Sequence, residues 1–192
     1  MGSRRYVGAD KHVPEREQPG NGPKKAEPTA VILDTQSVKN AATATGVPVG
    51  FDAGKLIKGR KRLVLTDMLG NVLASSVLPA NAADGPAAIT FWDEVAAGHD
   101  LLGQVQVVFV DSSFHGVFRT HLAQRYGIRV EKPVHVLVKK TNFCIHAWRW
   151  IVERTFAWLG ANRRLSKEYD RSLHHANAWI CLANIRRVLK FC

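Results

Sequence analysis

Two aspartates in this chain each close a short apolar, β-branched run: Asp34 follows Ala30-Val31-Ile32-Leu33, and Asp111 follows Val105-Gln106-Val107-Val108-Phe109-Val110. A third acid, Glu153, lies where apolar residues recur at helical spacing. Carboxylates that converge supply hard oxygen ligands, and magnesium takes one or two of them per ion, completing its shell with water and phosphate oxygens. Two such ions about 3.5–4 Å apart can activate a nucleophile and stabilise the leaving oxygen of a phosphodiester. The chemistry open to Asp34, Asp111 and Glu153 is therefore metal-assisted phosphodiester cleavage, provided the fold gathers them. Other acids fit other roles. Asp67 sits in Asp67-Met68-Leu69-Gly70-Asn71, where aspartate bonds its own turn, and Asp52, Asp84 and Asp100 stand beside Gly, Pro or Ala as turn or solvated groups. His115, His121, His135, His174 and His175 form no HExxH-type pattern. Gly54 and Gly59 lack the spacing of a phosphate loop, so nothing supports an ATP-driven mechanism.

The elements that must position these acids follow from periodicity. The runs before Asp34 and Asp111 read as buried strands, and α/β sheets keep their working crevice at strand ends. Arg62–Thr66 and Val72–Leu78 make two further strands joined by the Asp67 turn. Helices are expected over Pro86–Gly98 and over Val117–Tyr126, the second stopped by Gly127, with a short strand at Ile128–Val130 and a basic connection beyond Pro133. From about His146 to Arg164, Trp148, Ile151, Val152, Thr155, Phe156 and Leu159 follow the i, i+3, i+4, i+7 stripe of an amphipathic helix. On that wheel His146, Arg149, Glu153, Gly160 and Arg164 share one flank beside the stripe. Arg149 and Glu153 form an i, i+4 pair, worth only about 0.3–0.5 kcal/mol if it is merely a surface ion pair. Leu173–Leu189 reads as a last helix whose apolar residues point nearly all round, so it is expected to be sandwiched or else to be another type of element, with Cys181 a small core residue. The fold class is mixed α/β.

At 192 residues, 46% hydrophobic and 22% charged, the chain can bury a real core, and disorder throughout is excluded. Residues 1–28 carry four Pro and four Gly with little periodicity and read as a flexible lead-in before a domain spanning 29–192. The net charge is +11, which makes a polyanion the first partner to consider. That excess is C-terminal: residues 139–192 hold 11 basic groups against Glu153, Glu168 and Asp170. A second cluster, Lys55, Lys58, Arg60, Lys61 and Arg62, is either a solvated loop or a patch that meets phosphate. Cys144, Cys181 and Cys192 are an odd, widely spaced set that builds neither a disulfide framework nor a zinc site. No stretch approaches the length of a membrane span and Met1–Lys11 is polar, so a soluble, cytoplasmic protein is expected.

Taken in order, several blocks resemble bacterial insertion-sequence transposases of the DDE superfamily, in particular family 5. They are Asp34-Thr35-Gln36-Ser37-Val38-Lys39, Asp52-Ala53-Gly54-Lys55 with Lys58-Gly59-Arg60-Lys61-Arg62, Asp111 within Val-Asp-Ser-Ser-Phe-His-Gly, and Arg149-Trp150-Ile151-Val152-Glu153-Arg154-Thr155-Phe156-Ala157-Trp158-Leu159. The match runs from about residue 29 to 190. The resemblance implies a ribonuclease-H-like fold, a mixed sheet flanked by helices, with Asp34, Asp111 and Glu153 as catalytic residues. It implies that these three hold two Mg2+ ions, for which Mn2+ can substitute. The ions would drive nicking at transposon ends and attack of the freed 3′-hydroxyl on target DNA. It further implies DNA contacts by Arg149, Arg163, Arg164 and Lys167, and by Lys58, Arg60, Lys61 and Arg62, a homodimer in a synaptic complex, and a place at the bacterial nucleoid.

The family's helix pattern has Tyr where this chain has His146, and a basic residue at the position of Gly160, with Arg163 and Arg164 a turn later. Complete members also carry an N-terminal helical region, whereas only residues 1–28 precede the first catalytic strand here. The expectation is thus a catalytic half: a second reading frame, working with an upstream reading-frame product, or a truncated copy. A catalytically silent DNA-binding remnant is the competing reading. Another ribonuclease-H-like nuclease, such as a junction resolvase, is disfavoured by the Lys/Arg-rich blocks.

Overall fold

The computed structural model describes residues 27–44, 48–98, 100–114, 116–132, 135–138, 143–146 and 148–190, with backbone only for 135–138 and 143–146. The flexible lead-in expected over 1–28 lies outside them apart from its last two residues, as do His115, Lys139, Lys140 and Cys192. In chain order the elements are β1 (Ala30–Lys39), β2 (Gly50–Asp52), β3 (Ile57–Asp67), β4 (Val72–Pro79), α1 (Asp84–Gly98), β5 (Val107–Val110), α2 (Val117–Tyr126), β6 (Arg129–Glu131), β7 (His135–Val138), β8 (Phe143–His146), α3 (Arg149–Gly160) and α4 (Leu173–Val188).

β1 is central to a six-stranded sheet. On one side it runs antiparallel to β3, from Val31 opposite Asp67 to Lys39 opposite Gly59. On the other it runs parallel to β5, which is parallel in turn to β6. β3 also pairs antiparallel with β4 and, at its start, with β2. This order, three antiparallel strands continued by two parallel ones and covered by helices, is the ribonuclease-H-like mixed α/β arrangement expected.

Strand alternation sorts the core into two layers. Val31, Leu33, Leu63, Leu65, Val108 and Val110 face α1 and α2, where Trp92 and Phe118 are fully buried. Ile32, Val64 and Val77 face the other way, against Ile151, Val152, Phe156 and Leu159 of α3 and Ala176 and Ile180 of α4. Each such side chain removed from water contributes about 1.5–3 kcal/mol. The two layers clamp the central strands and make their ends rigid places to mount side chains.

The β3–β4 turn behaves as its sequence dictates: Asp67 Oδ1 accepts the amides of Leu69 and Asn71, both at 2.8 Å. Gly70 is required there twice over. Its φ is +85°, and a Cβ would stand 2.7 Å from Thr155 Oγ1.

Three expectations need correction. The connection beyond Pro133 contains a hairpin, β7 paired with β8, so His146 is a strand residue and α3 begins only at Arg149. Trp148, at φ 77° in the left-handed region, turns the chain between them. α4 is not sandwiched: it buries Ala176 and Ile180 and leaves Trp179, Leu182 and Ile185 exposed. Cys181 shares that outer surface and is no core residue. The helix packs along the edge strand β4, where Asn184 both accepts from the Val72 amide at 3.1 Å and donates to its carbonyl at 2.9 Å. Among the described residues, no helix is long and apolar enough to cross a membrane.

Candidate active site

The parallel pairing of β1 with β5 decides what meets where β5 ends: β1, expected to close at Asp34, runs on to Lys39 because it stays paired with β3, so Asp34 stands mid-strand beside the residue that follows β5. Ile32 lies opposite Phe109 and Leu33 opposite Val110, so the residues that follow, Asp34 and Asp111, emerge side by side. Alternation turns both toward α3, since Ile32 packs there and Phe109 lies against that layer. They line one cleft of about 260 Å³ together with Ser112, Lys132, Arg149 and Val152. Each is oriented by a nearby backbone amide: Thr35 N–H, the next residue of β1, donates to Asp34 Oδ1 at 2.7 Å, and Ser113 N–H donates to Asp111 Oδ1 at 2.6 Å.

The two carboxylates are electrostatically unlike. Burial above all, and then the neighbouring Asp111 charge, push the Asp34 carboxyl up to about 6. The Thr35 amide and the charges of Lys55 and Arg149 act in the opposite direction. Asp111 is exposed at the cleft mouth.

The expected gathering of three acids is met by two. α3 presents Arg149 to the cleft, and Glu153, one turn along, accepts from Arg149 Nε at 2.9 Å on the solvent side. Glu153 is therefore paired with Arg149 rather than set among the aspartates. Among the described residues, no three His, Cys, Asp or Glu side chains are close enough together to hold an ion. The helical spacing that put Arg149 and Glu153 on one flank is the spacing that lets them pair.

The donor set fits a hard divalent cation at the aspartates. Burial and the Asp111 charge outweigh Lys55 and Arg149 at Asp34, and a bound ion would supply the further counter-charge that two adjacent carboxylates call for. Asp34 and Asp111 would hold it, while Glu153, paired to Arg149, is not among the residues that line the cleft.

The basic residues assigned to DNA divide sharply. Arg60, Lys61 and Arg62 are withdrawn from solvent, which corrects their assignment. Arg62 donates to Glu168 Oε1 at 2.6 Å and to the Leu165 carbonyl at 2.9 Å. Arg60 lies 3.6 Å from Glu168 Oε2 and donates to the Asp170 carbonyl at 2.7 Å. Lys61 is taken by Asp84 and the Ala82 carbonyl. Burial draws the Arg62 guanidinium below its usual range, and Glu168 opposes that shift. Lys58, Arg163 and Lys167 are exposed, while Arg164 is half-exposed and paired with Asp170 at 2.6 Å.

Glu168 went unremarked in the sequence beyond its charge. The signal was the alternation itself, because Arg60 and Arg62 share a strand face with Val64, and buried guanidiniums require a buried acid. Lys132 was equally legible. It directly follows the strand beside the one that ends at Asp111, at the same end of the sheet.

A family model described as "Transposase DDE domain" matches residues 25–189. Among curated proteins, none matches significantly. Among solved structures, similarity is found to a chain of the simian T-cell lymphotropic virus intasome in complex with PP2A regulatory subunit B56 gamma, at 13% identity and a TM-score of 0.40, covering 84% of this chain and 49% of that one. A chain of the piggyBac transposase synaptic complex with hairpin DNA is similar at 13% identity and a TM-score of 0.36, covering 61% of this chain and 25% of that one. The chain thus spans about half the length of the first and a quarter of the second.

Proposed function

The chain belongs to the transposase DDE domain family, and from that membership we propose that its cleft cuts and joins DNA phosphodiesters with the help of a divalent cation, magnesium in the cell. The observation that carries this reading is the parallel register that sets Asp34 beside Asp111 at the mouth of a cleft shared with Arg149. When bound, the cation would polarise the phosphodiester and favour deprotonation of an attacking water or 3′-hydroxyl. The chain's own part is positional. The two aspartates fix the ion from a rigid sheet, Asp34 within β1 and Asp111 just past β5, and Arg149 offers a planar guanidinium to the phosphate. Glu153, freed from Arg149, supplies a third carboxylate.

The DNA lies across the exposed cations of this face and of the C-terminal segment, Lys58, Arg163 and Lys167, with Arg164 contributing through its exposed side. The Glu153–Arg149 pair gives substance to the alternative of a DNA-binding remnant, since a chain that never released Glu153 would bind without cutting.

A nicking assay on a duplex carrying the element's ends, run with magnesium, separates the two. Asp34→Asn, Asp111→Asn and Glu153→Gln should each lower nicking by about 100-fold or more while DNA retention changes less than about threefold. A wild-type chain that retains DNA without nicking it, alone and with an upstream reading-frame product, establishes the remnant instead.

A further inference from the structure

Sheet order places two lysines on opposite sides of the aspartate pair. β1 and β5, which carry Asp34 and Asp111, are flanked by β3 on one side and β6 on the other. Lys55 stands in the turn between β2 and β3, and Lys132 directly follows β6.

Lys55 is fixed to the first of these edges. Its amide donates to Asp52 Oδ1 at 3.0 Å, and the other oxygen of Asp52 accepts from Ser37 Oγ of β1 at 2.5 Å. Its ammonium reaches the Thr35 carbonyl at 3.5 Å, next to Asp34, whose charged form it favours. Lys132 lines the cleft itself. The acid beside it, Glu131, is turned to Arg129 at 3.5 Å. Both lysines are exposed, and among the described residues neither has a carboxylate within ion-pair distance. The basic cluster, which the sequence left as a solvated loop or a phosphate patch, thus hides its last three members, Arg60, Lys61 and Arg62, and leaves Lys55 beside Asp34.

We propose that Lys55 and Lys132 form a phosphate subsite that brackets the reacting DNA phosphodiester from the two edges of the aspartate pair, with Arg149 closing the third side. Resting on the function proposed above, it names the groups that orient the substrate. An ammonium has three donors and a compact charge, so two of them on opposite sides of a phosphate can each take a non-bridging oxygen and hold the phosphorus over the metal-binding aspartates. Their hydration shells are surrendered only when the phosphate arrives, which places their effect on the bound substrate rather than on the fold.

The test uses the full chain and its Lys55→Ala, Lys132→Ala, Lys55→Arg and Lys132→Arg variants, in two measurements. In the first, magnesium-dependent nicking of the duplex, each Ala variant should slow the reaction about tenfold or more with its pH profile unmoved. Each Arg variant, which keeps the charge, should recover most of the rate. In the second, retention of the same duplex without divalent cation is followed against salt. Each Ala variant should flatten the log–log slope by about 0.9, one phosphate contact, with each Arg variant near wild type. Unchanged slopes in both Ala variants overturn the subsite. So does a slower reaction with a shifted pH profile and an intact slope, which would make the lysines mere counter-charges for the aspartates. If the wild type nicks nothing yet the slopes fall as stated, the subsite stands and the proposed chemistry fails.

Discussion

Asp34 is the residue at which the fold and the chemistry oppose each other most directly. Its carboxyl is pushed up to about 6 by burial and by Asp111, so between pH 4 and 6 the folded chain binds more protons than the unfolded one. Stability therefore falls as pH rises through that window, and the cost is fully present above it. Without divalent cation at pH 7.5, Asp34→Asn should accordingly be more stable than wild type by about 1–3 kcal/mol, and the gain should fade near pH 4. The Thr35 amide retains an oxygen acceptor in that variant. Denaturant melts of both chains at the two pH values in a chelator decide this, and a gain over wild type that is no larger at pH 7.5 than at pH 4 contradicts it. Magnesium should raise the wild-type melting temperature and leave that of Asp34→Asn nearly unmoved.

At the scale of elements, the join between β3 and the segment after α3 decides whether the helix that carries Arg149 and Glu153 stays on the sheet. Glu168 is the counter-charge of two buried arginines, and its backbone pairs with the end of β1: its amide donates to the Lys39 carbonyl at 3.0 Å, and its carbonyl accepts from the Ala41 amide at 2.8 Å. Removing the acid leaves two guanidiniums buried without a counter-charge. Glu168→Ala should cost about 3–5 kcal/mol, and adding Arg60→Met and Arg62→Met should recover part of that loss. Equilibrium unfolding of the single and triple variants is the measurement. A loss below about 1 kcal/mol would mean that the buried network does not hold these elements together.

For the whole molecule, charge is sorted by partner rather than by position in the chain. Of the C-terminal cations, Arg154 and Arg187 are spent on the carbonyls of Leu69 and Gly70 in the β3–β4 turn, and Arg164 on Asp170. Arg163, Lys167, Arg171, Arg186 and Lys190 remain on the outside, with no carboxylate partner among the described residues. Double substitution Arg163→Ala, Lys167→Ala should weaken DNA retention and flatten its salt dependence by about 1.8 in log–log slope, whereas Arg60→Met should lower stability without changing that slope. Equal slopes for both would show that exposure does not select the DNA-binding cations.

The sequence alone determined the strand that ends before Asp111, the start of the strand that carries Asp34, the Asp67 turn, the helix over Val117–Tyr126 and the basic C-terminal segment. Each of these is written in residues a few positions apart, where alternation, capping and turn chemistry act. It did not show that β1 continues past Asp34 to Lys39. Tertiary structure decided which cations stay in water and what Glu153 touches. Arg62 meets its acid 106 residues away, and no local pattern carries so distant a partner. Arg149 and Glu153 share a helix face in either case, but only the packing of α3 on the sheet turns the arginine into the cleft and leaves the glutamate at its edge. Burial is a property of the assembled layers, and it changed a run of five basic residues into three structural ones and two that face the solvent.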